Sequence, residues 1–446
     1  MSDLLSIGAS GVRAYQTALS VVGENVANVG ATGYTRRSVR LSEMAAGTGA
    51  VEINGAGNGV LLTGVTRASD VYASAAVRTA SADLSRTESG ATWLDRIEKA
   101  LTGNQLTGRV TRFFASSTSL AAEPDSSALR TGMLGAAQSA ATAFTATGAA
   151  FDQIATDLDT TARQATTSLN SLGVALVRIN DGLGRTTPGT TASAQLIDQR
   201  DQILDQMSAI VDVGVSFDAL GRSTVKLGGA AGQTFVDADI AGRVAYSRNN
   251  EGAVVLALSY GGERMMVSPN GGALAGIVDG ALRIAQARDS IESVARDFVT
   301  QVNANQLAGD DQKGAPGTAM FATGTRPTEI TVAMTEGSQI AAASRGGGAR
   351  DSSNLAKLEQ VRLGRGYEAS LTSTITQNAT AYEQKKIIAN AQNAIRDGAT
   401  SALSSATGVN LDTEAVELMR FQQAYQASSR VIQIARDTLQ TILDIR

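Results

Sequence analysis

From Phe151 to Leu183 the apolar stripe never breaks step. Phe151, Ile154, Leu158, Ala162, Ala165, Leu169, Leu172, Leu176, Ile179 and Leu183 follow one another at intervals of three or four. A strand returns a side chain to the same face every second residue, so this spacing admits only a long helix in a bundle or coiled coil. Two further seams lie at the ends of the chain. Residues 4–28 carry Leu5, Val12, Tyr15, Leu19, Val22 and Val26 at intervals of 7, 3, 4, 3 and 4, with Gly8 in the vacant place. Near the C-terminus Leu418, Phe421, Tyr425, Ser428, Ile432, Ala435, Leu439 and Ile442 form a matching stripe, in a segment that Leu411 opens.

The period changes in the middle of the chain. In residues 38–68, "VRLSE", "AVEING" and "NGVLLTGVTR" alternate briefly between Gly and Asn, which predicts small strands with turns. The glycines of "GAGNGV" (55–60) lack the spacing of a dinucleotide loop, so this stretch reads as a turn. A helical pattern runs from near Ala68 to about Leu120. Asp125 or Ser126 is the expected cap of the long helix, and another helix covers 194–211. Strand-like alternation then fills 212–268. Residues 307–327 and 341–353 are Gly-rich and read as loops. Helix resumes from about 354 to the end, with breaks expected near Gly364–Gly366 and at 397–408.

The expected fold is therefore mainly α with a β insert, an α+β rod. Residues 1–40 and 400–446 form a terminal coiled-coil assembly domain. Residues 41–211 and 269–399 form an elongated helical bundle with a short β-hairpin region at 41–68, and residues 212–268 form a small outer β domain. Two narrow terminal seams are a weak return for ordering both ends of the chain, so the termini are expected to order only when other copies cover them.

Composition narrows the chemistry. The chain has 446 residues, 43% hydrophobic and 18% charged, with net charge −4 and no cysteine or histidine. These values suit a globular protein and argue against a nucleic-acid partner. Disulfides, thiolate metal sites and any catalytic triad that needs His or Cys are excluded. The acidic pairs Asp157/Asp159, Asp237/Asp239 and Asp310/Asp311 fall on polar helix faces or loops, where carboxylates are ordinarily solvated. No enzyme activity, catalytic residue, metal or cofactor is expected. No apolar run reaches the roughly 18–20 residues of a membrane span. "MSDLLSIGASG" has neither a basic nor a compact apolar region, so no Sec-type signal is expected.

One stretch fits none of these patterns. "NVANVGATGYTRR" (25–37) contains Gly30 and Gly33, which end the first helix, while Asn25, Asn28, Gly33 and Tyr34 cap it and set the direction of exit. Arg36 and Arg37 read as solvated or paired charges. The stretch resembles the N-terminal signature of flagellar rod, hook and hook-associated proteins, a helix followed by Asn-x-x-x-x-Gly-Tyr-x-Arg. "GVNLDTEAVELMRFQQAYQASSRVIQIARDTLQTIL" (408–443) is similar to the C-terminal signature of the hook–filament junction family, FlgK. "GNGVLLTGVTRASD" (57–70), "QLIDQRDQILDQMSAIVDV" (195–213), "GGALAGIVDG" (271–280) and "VTQVNANQLAGDDQKGAPGTAMF" (299–321) extend the likeness in order along the chain.

The resemblance implies a flagellin- or hook-associated-like rod that polymerises at the distal end of the hook and joins hook to filament. It implies export through the flagellar type III apparatus without a cleaved signal, to an extracellular place on the flagellum. The implied partners are other copies of itself, the hook protein, a second junction protein next to the filament and a dedicated export chaperone held on Leu418, Phe421, Tyr425, Ile432 and Leu439. Membrane insertion is not implied. The alternatives are another axial subunit of hook or rod and, less favoured, a secreted coiled-coil adhesin or enzyme. Removing residues 430–446 is expected to abolish assembly and chaperone capture. Thermal unfolding followed by circular dichroism should show the 70–400 body still folded.

Overall fold

The computed structural model describes residues 2–31, 33–44, 59–249 and 252–444. The chain opens with helix α1 (Ser2–Ala27), then strands β1 (Arg37–Glu43) and β2 (Val60–Arg67). Four helices follow: α2 (Val71–Gly103), α3 (Leu106–Ala122), α4 (Ser127–Arg185) and α5 (Thr191–Ile210). The β insert holds β3 (Val213–Phe217), β4 (Ser223–Leu227), β5 (Gln233–Asp237), β6 (Ile240–Ala241), β7 (Arg243–Arg248), β8 (Val254–Tyr260) and β9 (Glu263–Val267). Helix α6 (Gly272–Ala308) leads to the short strands β10 (Gly309–Asp310), β11 (Phe321–Thr323), β12 (Ile330–Val332) and β13 (Ala343–Ser344). Helices α7 (Ser353–Arg365), α8 (Tyr367–Thr407) and α9 (Leu411–Asp444) complete it. "AVEING" and most of "GAGNGV" lie outside the described residues.

The long stripe forms the predicted helix. Ser126 caps α4 by accepting from the Leu129 N–H, and its 59 residues span about 90 Å at 1.5 Å each. Phe151, Ile154, Leu158, Ala162, Leu169, Leu176 and Leu183 are buried along it. The densest part of the core is aromatic. Phe298 on α6 lies 5.4 Å from Phe113, 5.5 Å from Phe144, 5.3 Å from Phe321 and 5.7 Å from Tyr367, so α3, α4, α6, β11 and α8 meet on one ring.

The insert is two antiparallel meanders, β3-β4-β5-β6 and β7-β8-β9, that dock on α4 through asparagines. The Asn170 carboxamide accepts from the Val244 N–H (2.8 Å) and donates to the Val244 carbonyl (2.9 Å). Asn180 does the same at Ser223, at 2.9 Å each way, and Asn303 of α6 at Phe321. Each amide presents the donor and acceptor that a neighbouring strand would, so a helix satisfies the backbone of an edge residue.

Three boundaries differ from the sequence expectation. The helix expected from Ala68 to Leu120 is two helices, broken at Asn104 and Gln105, where Gln105 takes a left-handed conformation. Residues 307–327 and 341–353 contribute the short strands β10, β11 and β13: β10 pairs with β13 from Gly309 to Ser344, and β11 pairs with the nearby β12. The break expected at 397–408 shrinks to Gly408, because α8 continues to Thr407. One helical glycine costs about 1 kcal/mol, and the Ala-rich turns that follow Gly398 carry the helix across it.

Replacing Phe298 by Ala should cost roughly 3–5 kcal/mol, seen as a lower urea midpoint. A loss below about 1 kcal/mol would show that the aromatic cluster does not hold the bundle together.

Candidate functional site

The N-terminal motif gathers the terminal helices onto the body. Asn25, in the last turns of α1, is fully buried. Its amide nitrogen donates to the Arg37 carbonyl (2.8 Å) and to Glu414 Oε2 (3.0 Å). Its oxygen accepts from the Arg37 N–H (3.0 Å) and the Tyr34 hydroxyl (2.8 Å). The second Glu414 oxygen accepts from Arg36 Nε at 2.9 Å. Glu414 comes from the first turns of α9 and is 1% exposed. One carboxylate thus joins the first helix, the motif and the last helix.

A second knot ties the motif to α5. Arg37, 4% exposed, donates to Asp198 Oδ2 and to Glu24, each at 3.1 Å, and its guanidinium lies 4.8 Å from the Tyr34 ring centre. The other Asp198 oxygen accepts from the Thr35 hydroxyl (2.7 Å) and Arg67 Nε (2.6 Å). Arg67 also reaches Asp201 at 2.7 Å, and Asp201 pairs with Arg200. Buried charges persist only with close partners, and this set supplies them. Partial burial pushes the Tyr34 phenol up against the opposing pull of Arg37. Burial pushes the Arg200 guanidinium down, with Asp201 opposing. The Arg36 N–H also donates to the Thr407 carbonyl at the end of α8 (2.8 Å).

Gly33 has φ +76°, and a Cβ there would run into the Gln202 side chain of α5. The left-handed backbone favours glycine there, and any Cβ would also require the Gln202 side chain to move aside. Asn28 reaches back to the Glu24 carbonyl (2.8 Å), a C-terminal turn contact.

The terminal seams meet, displaced from their expected line. The buried stripe of α1 is Gly8, Gly11, Ala14, Ala18, Val21, Val22 and Asn25. Gly8 faces Ile432, where a Cβ would stand 2.6 Å from Cγ1. Tyr15 and Phe421 pack with ring centres 6.3 Å apart, and Leu19 and Leu418 flank Ala18, Val22 and Phe421. Leu5, Val12 and Tyr425 are half-buried. Val26 (41%), Leu411 (49%), Leu439 (41%) and Ile442 (51%) stay exposed. Small residues let the two helix axes approach, and the larger side chains are displaced to the flanks.

Glu414, Asp198, Asp201, Arg67 and Thr35 were not singled out from the sequence. A lone acid in a helix carries no periodic signal. Their one trace is that all five fall within stretches that carry the family likeness, Asp198 and Asp201 as the two acids of its Asp-x-Arg-Asp. Arg37 is a paired, buried charge. Of the acidic pairs, Asp157 binds Arg96, Asp159 binds Arg248 and the Tyr246 hydroxyl, Asp237 accepts from Thr224, and Asp310 and Asp311 accept backbone N–H groups. Among the described residues no group of three or more acids could hold a metal ion. No described helix is long and apolar enough to cross a membrane.

The helical-domain model of the flagellar hook-associated protein FlgK matches residues 94–321, just over half the chain. The C-terminal model of the flagellar basal body rod FlgEFG protein matches residues 401–445. Flagellar hook-associated protein 1 of Salmonella typhimurium is 28% identical over 340 residues, covering 73% of this chain and 60% of that protein. The matched region thus spans about three-fifths of that relative. The Bacillus subtilis protein of the same name is 22% identical over 492 residues, covering 97% and 96%. The flagellar hook junction protein FlgK from Burkholderia pseudomallei superposes with a TM-score of 0.65 at 14% identity, over 74% of this chain and 99% of that one, which establishes a shared fold.

Replacing Asp198 by Ala should destabilise the protein by roughly 3–5 kcal/mol in urea unfolding, because Arg37 and Arg67 lose their buried counter-charge. Glu414→Gln should cost less, roughly 1–3 kcal/mol, and should lower amide protection mainly in residues 8–25 and 411–430. Equal losses spread over the whole chain would show that the two knots do not divide their work in this way.

Proposed function

Because this chain belongs to the FlgK family of flagellar hook-associated proteins, we propose that it is a structural subunit that polymerises at the distal end of the hook and joins hook to filament. The observation that carries this reading is the terminal unit. Helices α1 and α9 are clamped together and to the body through Glu414 and Asn25, yet leave Val26, Val416, Met419, Ile434 and Ile442 exposed on the helix pair. Apolar side chains left exposed on a paired helix unit suit further copies of the same pair. In this reading α1 and α9 line the inner tube, the bundle lies outside them and the β insert (213–267) is outermost.

The hook protein and a second junction protein are its neighbours in the axial stack. Before export a dedicated chaperone holds α9 through Leu418, Phe421, Tyr425, Ile432 and Leu439. The chain then leaves unfolded through the type III apparatus for an extracellular place on the flagellum. Freedom from cysteine suits a chain that must stay threadable. The role is mechanical, with no catalytic step.

Deleting the gene is expected to leave hooks without filaments, abolish swimming and release flagellin into the medium. Cells that keep attached filaments would favour a secreted adhesin or enzyme instead. Gly33→Val should impair restoration of filaments in the deleted strain more than it lowers the melting temperature of the 70–400 body, because the strain falls on the joint. Equal damage to both would reduce Gly33 to an ordinary helix stop.

A further inference from the structure

Below Asn378, helix α8 turns its apolar side chains outward. Of its 41 described residues only Tyr367, Leu371, Asn378 and Thr407 are buried. From Glu383 to Ala406 the helix lies against α2 along one line of half-buried positions: Lys385, Ala389, Gln392, Arg396, Ala399 and Leu403. A Cβ on Gly90 of α2 would stand 3.5 Å from Lys385 Nζ, which marks this line as the one facing α2. One residue after each member lie Lys386, Asn390, Asn393, Asp397, Thr400 and Ser404, all exposed and all polar. One residue before each lie Gln384, Ile388, Ala391, Ile395, Gly398 and Ala402, all exposed and mostly apolar or small. Ile388 is 47% exposed and Ile395 63%. An amphipathic helix ordinarily gives its apolar stripe to its partner and its polar face to water. Here Lys385, Gln392 and Arg396 hold the seat, and the isoleucines stand beside it.

The seat in use is poorly satisfied. The Gln392 carboxamide oxygen is shut away from solvent and accepts no hydrogen bond among the described residues, so its desolvation is uncompensated. Lys385 reaches Asp279 at 3.7 Å, and Arg396 pairs with Asp397 beside it on the same helix. The two lines have identical spacing, so a turn of one residue, about 100°, exchanges them. The helix is pinned above and below this stretch. Asn378 donates to the Leu94 carbonyl and to Glu98, each at 2.9 Å, and the Thr407 carbonyl accepts from the Arg36 N–H. Between the pins the turn is mechanically accessible. A 3₁₀ stretch winds about 120° per residue, so about five such residues below Asn378 gain the extra rotation, and Gly408 ends the rotated stretch.

We propose that residues 384–406 of α8 have two seats on α2, one residue apart. The first is the seat described above. In the second, Ile388, Ala391, Ile395, Gly398 and Ala402 face α2, while Lys385, Gln392 and Arg396 turn to water. Burial of the two isoleucines and hydration of Gln392 favour the second seat, and loss of Leu403 from the contact opposes it. Both lines belong to one helix, so the exchange needs no partner. Helix α8 runs from the aromatic core at Tyr367 to the joint at Thr407, where Arg36 and Glu414 hold the terminal pair. The exchange therefore reaches the terminal pair as a turn of α8 and a shift of up to about 1.5 Å, the rise of one helical residue. A subunit between a curved hook and a filament would gain two settings of its terminal pair on its body. That use rests on the role proposed above, whereas the two seats do not.

The chain has no native cysteine, so engineered pairs report the seats directly. Full-length chains carrying Gly90→Cys with Lys385→Cys, with Gln384→Cys or with Lys386→Cys are oxidised as dilute monomers. With one seat, positions 384 and 386 flank the line equally and link equally slowly. Two seats predict ready closure at both 385 and 384, with 384 roughly tenfold faster than 386, which faces α2 in neither seat. Adding Ile388→Gln and Ile395→Gln should slow the 384 link roughly fivefold, because the second seat loses its apolar contacts, and leave the 385 link unchanged. Equal rates at 384 and 386 overturn the second seat. A 384 link indifferent to the two isoleucines overturns it too, since fraying below Asn378 would then account for the closure. If Ile395→Cys loses thiol reactivity only when chains associate, a second copy covers the isoleucines. The two-seat assignment then falls while the assembly role stands.

Discussion

A single buried carboxylate decides how the two ends of this chain relate to the rest. Glu414 accepts from Asn25 and from Arg36. Through them the last helix is bonded to the first helix and to the loop that follows it. A buried carboxylate is costly unless its partners are in place, so α9 can seat only where α1 and the motif already converge. Asp198 extends the same logic inward. It binds Thr35, Arg37 and Arg67 together and carries the joint onto α5. The terminal pair is therefore positioned by directional, charge-assisted bonds, while the bundle is held by bulk packing around Phe298.

Asn25 also belongs to a device used repeatedly. Asn25, Asn170, Asn180 and Asn303 each project from a helix and engage both the N–H and the C=O of one strand residue: Arg37, Val244, Ser223 and Phe321. An edge residue facing a helix would otherwise bury two unsatisfied groups. A carboxamide resolves this because it carries one donor end and one acceptor end at the spacing of a peptide unit. The device joins helix to sheet without a further strand, and it lets small two- and three-stranded sheets sit on a helical rod. At β1 it engages Arg37.

Close packing of α1 on α9 has a second consequence. Gly8, Gly11, Ala14 and Ala18 bring the helix axes together. The stripe between them is then too narrow to cover the larger residues beside it. Val26, Leu439 and Ile442 remain outside. Tight pairing within one copy and apolar surface left for others arise from the same choice of small residues.

By itself the sequence determined the long helices, the β insert and the glycine-bearing turn after α1, because each writes a local period or a backbone requirement into consecutive residues. It also carried the family likeness from end to end. One local error was the break expected at 397–408, which α8 crosses as far as Thr407 because a single glycine costs only about 1 kcal/mol in a helix. What only the tertiary structure decided are the pairings between distant positions. Asn25 with Glu414 spans 389 residues and Thr35 with Asp198 spans 163, and neither acid stands out from the solvated carboxylates around it. The displacement of the α1 seam onto its small residues has the same origin. Periodicity records which face of a helix is buried, whereas depth of approach depends on the partner helix, and that partner lies at the other end of the chain.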